Sequence, residues 1–104
     1  MSMKFVIIQS AKAWHHELEK IFEAIDINAH SQMDVEGFMK NVEGNTDISN
    51  WFGSQKKPYD YMVSFTFLEE EKAILLLERI DEFNKSTEDV SPVNAYIVGV
   101  EKSV

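Results

Sequence analysis

Apolar positions along the chain fall into stretches with two different periods, and the order of those periods predicts a fold. Met3 to Gln9 holds Phe5, Val6, Ile7 and Ile8 in a row with Lys4 as its only charge, the pattern of a strand buried on both faces. Ser10 follows as an N-cap for a helix expected from about Ala11 to Ile25. There Trp14, Leu18, Ile21, Phe22 and Ile25 recur every three or four residues as one stripe, and Lys12, Glu17, Lys20 and Glu23 fall mainly outside it. After a polar connection, Asp26 to Ser31, the period drops to two. Met33, Val35 and Met39 alternate with Asp34, Glu36 and Lys40, which predicts a second strand beginning near Gln32. Tyr59 to Leu68 predicts a third, with Tyr61, Val63, Phe65 and Phe67 on one face and Met62, Ser64, Thr66 and Leu68 on the other. Glu69, Glu70 and Glu71 open a second helix, where negative charge suits the positive end of the helix dipole. Ala73, Leu76, Leu77, Ile80 and Phe83 form its stripe, and Pro92 starts a last strand, VNAYIVGV.

The order β-α-β-β-α-β predicts an α+β, ferredoxin-like domain spanning residues 1–104: a four-stranded antiparallel sheet with two helices on one face. The strand positions alternating with the expected core include Val6, Ile8, Met62, Tyr96, Val98 and Val100. A bare sheet face that apolar predicts a homo-oligomer. Between the second and third strands, at about 41–58, the alternation dissolves into Gly, Asn, Asp, Ser and Lys around one aromatic pair, Trp51 and Phe52. A loop of that length in a small domain is usually functional or disordered.

Charge narrows the partners. Ten basic and eighteen acidic residues leave a net charge of −8, which argues against nucleic acid and against anionic membrane, both of which are bound through positive charge. The absence of cysteine excludes disulfides, thiolate nucleophiles and thiolate metal sites. The start MSMKFVIIQS turns polar too soon for a signal peptide, no apolar run reaches spanning length, and a cytoplasmic location without membrane insertion is expected.

The candidate chemistry is sparse. His15 and Glu19, one helical turn apart, offer two metal ligands, with His30 or Asp34 as distant supplements; adjacent His16 points about 100° away. Solvated surface histidines are the ordinary alternative. Asp34 and Glu36 share one face of an edge strand, as a cation site or partner-facing stripe would, although a solvated face does the same. Trp51 and Phe52, flanked by Asn50, Gly53, Lys56 and Lys57, suit an interface anchor or a stacking site for a flat ligand, and equally a plug between subunits. No nucleophile–base pair or Gly-rich phosphate cradle is present in the pattern.

Several strings resemble the P-II family of signal-transduction proteins and its P-II-like relatives. MKFVIIQSAKAWHHELEKIFEAIDI is similar to the family's opening strand and helix, and MDVEGF resembles the end of its second strand before the long T-loop. The resemblance implies a cytoplasmic, non-enzymatic trimer with small effectors in clefts between subunits. The β2–β3 loop, Lys40–Pro58, would be the element that docks a partner protein, a transporter or an enzyme. It points to Gly37, Lys40, Asn50, Trp51, Phe52 and Lys57 as ligand- or partner-binding residues. The sequence also departs from the family. Usual P-II proteins carry a Gly-rich, basic phosphate-binding loop before the last strand, whereas STEDVSPVN has no glycine and no basic residue, so ATP binding of the usual kind is not supported and the effector is left open. Two other resemblances stay in view. CutA proteins are trimers of the same architecture linked to divalent metals, and small cofactor-free monooxygenases are ferredoxin-like dimers, in which Trp14, His15 and Asn50 would be recast as site residues.

Overall fold

The computed structural model describes residues 2–37 and 59–104. In chain order these form β1 (Met3–Ala11), a 3-10 turn (Lys12–Trp14), α1 (His15–Ala24), β2 (Ser31–Gly37), β3 (Tyr59–Glu69), α2 (Glu70–Ser86) and β4 (Asn94–Gly99). The strands make one sheet in the order β2-β3-β1-β4, and every neighbouring pair is antiparallel. Each βαβ unit thus leaves a gap filled by a strand of the other, which is the ferredoxin-like arrangement expected from the element order.

The first helix differs from its expected start. β1 continues through Ser10 to Ala11, and Ser10 is a buried strand residue opposite Met62 rather than an N-cap. The chain then makes the 3-10 turn before α1 begins at His15, and no side chain caps either element. The long pairing of β1 with β3 outweighs the capping preference of one serine. At its other end α1 stops on Asp26, which takes a left-handed φ of 57° while the Ile27 N–H reaches back to the Phe22 carbonyl at 2.9 Å. That closing hydrogen bond is the usual helix stop, here without the glycine that favours it.

The sheet faces are the reverse of the expected ones on β1 and β3. Val6, Ile8, Met62 and Leu68 lie under the helices with Leu18, Phe22, Leu76 and Ile80. Phe5, Ile7, Val63, Phe65 and Phe67 point the other way, as the register requires, beside Tyr96 and Val98, which are on the open face as expected. Val100 lies beyond β4. Ser64 and Thr66, polar residues that suggest a solvent face, are buried instead, and the Thr66 hydroxyl donates to the Ala29 carbonyl at 2.8 Å. That bond satisfies a buried hydroxyl and pins the α1–β2 connection to the sheet. On the open face the Phe5 ring sits 5.7 Å from Phe65 and 5.2 Å from Phe67, an aromatic cluster with no helix over it.

Candidate functional site

The element order brings three connections to one end of the sheet. β2 leaves at Gly37, a buried residue opposite the first residue of β3, Tyr59. β1 ends at Ala11 opposite Tyr61, and β4 begins at Asn94 opposite Gln9. The root of the β2–β3 segment, the 3-10 turn and the α2–β4 turn therefore share one rim.

The 3-10 turn ties the other two together. Lys12 Nζ donates to Asp34 Oδ2 of β2 at 2.9 Å, and that hydrogen bond and charge hold the ammonium above its ordinary pKa. The pair is solvent-exposed, so its contribution to stability is small. His15 contacts the Glu19 carboxylate through Nε2, and its Nδ1 lies 3.2 Å from Gln32 Nε2 of β2. A single neutral tautomer satisfies both contacts: Gln32 donates to Nδ1, and Nε2–H donates to Glu19. Trp14 reaches the opposite way. Its indole N–H donates to the Ser91 carbonyl at 2.8 Å and its ring meets Phe83 edge-on at 5.1 Å. The helical spacing puts Trp14 in the α1 stripe, whereas its anchoring contact is with a residue 77 positions away.

The α2–β4 turn is held as firmly from its own side. Glu88, Asp89 and Ser91 have left-handed φ values of 55°, 57° and 48°. Such values cost roughly 1–2 kcal/mol each for residues with a Cβ, so the surrounding bonds must fix them. The Asn84 side chain bonds both backbone groups of Val93, donating to its carbonyl and accepting from its N–H, each at 2.9 Å.

Of the residues predicted for the site, Gly37 stands at the loop root, whereas Lys40, Asn50, Trp51, Phe52 and Lys57 lie outside the described residues. Asp34 and Glu36 do share one face of an edge strand, opposite Met62 and Asp60. Glu36 and Asp60 thus place two carboxylates directly across the ladder at the root, a destabilising pairing. His15 and Glu19 meet as expected, but the His30 ring packs at a tilt against Phe22 at 4.6 Å and Asp34 is taken by Lys12. Among the described residues no group of three or more His, Asp or Glu stands close enough to hold a metal ion. Trp14 and His15 turn to different partners, and neither lines the cleft of about 250 Å³ between α2 and β4 or the one of about 290 Å³ beside Ala29–Ser31 and Phe65–Phe67. No helix among the described residues is long and apolar enough to cross a membrane.

Comparison with known proteins turns on shape. No family model matches the sequence, and no curated protein does. Solved structures match over nearly the whole chain. CPII, a nitrogen regulatory PII-like protein from Thiomonas intermedia K12, bound to ADP, AMP and bicarbonate, is 14% identical; the match covers 100% of this chain and 98% of that one, with a TM-score of 0.63. GlnK of B. subtilis is 12% identical over 100% of this chain and 90% of that one, with a TM-score of 0.69. Its ATP complex gives 12% identity over 99% and 87%, with a TM-score of 0.68. At these identities the likeness establishes a shared fold.

Proposed function

We propose that this chain, whose fold is that of the PII-like proteins, is a divergent PII-like regulator rather than an enzyme. It assembles as a homotrimer, receives a small effector in the clefts between subunits, and meets a partner protein through the Lys40–Pro58 loop. The observation that carries the reading is the likeness of fold to nitrogen regulatory proteins across essentially the entire chain.

Two physical features support it. The first is the open sheet face. Of the described strand positions on that face, Glu69 at one end is the only charged one. Two copies that each carry a net charge of −8 repel across most approaches, and this face lets them meet without opposing charges. Association there would cover Phe67, Val98 and Tyr96, which a lone chain leaves in water. The second feature is the tethered loop root. Lys12–Asp34 and His15–Gln32 join β2 to the turn that Trp14 joins to the α2–β4 connection. An effector bound at this rim would contact elements mechanically continuous with the loop, and would bias the loop's partner affinity by its own differential affinity for the two states.

The test is deletion of residues 43–56 followed by capture of partners from the host and by ligand titration. The expected result is an unchanged oligomer that has lost partner binding. Unchanged partner and ligand responses in the deletion would refute the docking role.

A further inference from the structure

We infer that the α2–β4 turn is a closed, acidic wall that rejects phosphate, so that a ligand of the neighbouring cleft is one without a phosphate group. The inference rests on the regulator reading above and sets it apart from the nucleotide-bound proteins that share its fold.

A phosphate cradle needs successive backbone N–H groups converging on an open concavity, and alternation of right- and left-handed residues is what builds such a nest. The left-handed Glu88, Asp89 and Ser91 give this turn the backbone for one. Its donors are nevertheless spent. The Thr87 N–H donates to the Phe83 and Asn84 carbonyls, Glu88 to Lys85, Asp89 to Asn84 and Val90 to Thr87, at 2.9–3.2 Å. These bonds close the last turn of α2, whose unpaired carbonyls would otherwise need other partners. Pro92 has no N–H, and that of Val93 is taken by Asn84 Oδ1. Of the residues 87–93, Ser91 alone contributes an N–H outside this set, and its carbonyl is held by the Trp14 indole. Opening the turn toward an anion would break the helix closure, the Trp14 bond and the Asn84 clamp together.

Charge acts in the same direction. Glu88 and Asp89 are exposed on the turn, and Glu36 and Asp60 face the same rim. The cations nearest the turn are already paired, Lys85 with Asp81 at 3.0 Å and Lys12 with Asp34 at 2.9 Å. A triphosphate approaching this wall meets carboxylates where a binding site would present donors.

The experiment is NMR of the intact wild-type protein, with amide exchange measured first and MgATP, ADP and AMP then titrated to millimolar concentration. Amides of Glu88, Asp89 and Val90 should exchange at least about tenfold more slowly than those of the 101–104 tail. Neither they nor the Trp14 indole N–H should shift with any of the nucleotides, leaving Kd at this turn weaker than about 1 mM. Fast exchange across 88–90, or saturable shifts there with micromolar nucleotide, would overturn the inference. Nucleotide that shifts the cleft residues Leu77, Ile80 or Ala95 while the turn stays unmoved would overturn the phosphate-free assignment, and binding that moves neither set upholds it and lies elsewhere. Oligomer mass and the loop deletion decide the regulator reading separately, since the exchange test reads the turn in any assembly state.

Discussion

Both faces of the sheet carry large apolar side chains, in opposite circumstances. Under the helices, Val6, Ile8 and Met62 are at most 1% exposed. On the open side Phe67 is 56% exposed, Val98 49% and Tyr96 40%. The open face is the more aromatic: Phe5, Phe65 and Phe67 all lie there, while the covered face includes Ser10, Ser64 and Thr66. Helices packed close to a sheet leave room for small and medium side chains at native density, and the bulkier rings take the side without helices. The difference separates folding from assembly. The covered face holds the chain in its fold, and the open face is surplus apolar surface that the proposed assembly would cover.

That separation can be broken by mutation, and the largest effect belongs to the covered face. Leu76→Ala, at a fully buried position, should cost about 2–5 kcal/mol. In a thermal melt this lowers Tm by more than about 10 °C, and a smaller drop would mean that α2 packs less tightly than described. Next comes the open face. Phe67→Glu should leave the melt of secondary structure nearly unchanged while weakening self-association by about tenfold or more, as removal of a central interface aromatic does. Sedimentation at several concentrations reads it, and an unaltered mass distribution would clear this face of the role. Asn84→Ala removes both bonds to Val93 and should destabilise by about 1–2 kcal/mol, with amide protection lost first across 87–93. The smallest change lies at the loop root. Glu36→Lys, opposite Asp60, should stabilise β2–β3 pairing by about 0.2–1 kcal/mol, seen as slower exchange at Tyr61 and Val35. The Lys12–Asp34 contact adds a pH signature. Because the Lys12 pKa is raised in the fold, the contribution is complete below the ordinary lysine range and disappears as pH rises through the raised value.

The element order was legible because each stretch carries its own period. The stripe of Leu18, Phe22 and Ile25 is buried as the 3.6-residue spacing implies, and the acidic Glu70 and Glu71 sit in the first turn of α2. The face assignment failed because β1 and β3 are apolar on both sides. Hydropathy cannot rank two apolar faces, and Ser64 and Thr66 pulled the choice toward the wrong one. The start of α1 failed because strand pairing of Ser10 with Met62 is a long-range term that no local signal reports. The rim contacts were hidden for the same reason: Lys12 and Asp34 are 22 residues apart, Trp14 and Ser91 77. Gly37 lies at the end of β2, where the string MDVEGF resembles a strand end, while its binding role is untouched by the fold and the loop residues Lys40 to Lys57 fall outside the described residues.

The central claim, a PII-like trimer assembled through its open, largely apolar sheet face, is tested most directly by native mass spectrometry of protein purified gently from its own host. The predicted result is a single species of three times the 12.0 kDa protomer mass, with any retained small molecule measured in the same spectrum. A dimer would contradict the account and favour the monooxygenase-like arrangement, and a monomer would leave the open aromatic face without its occupant.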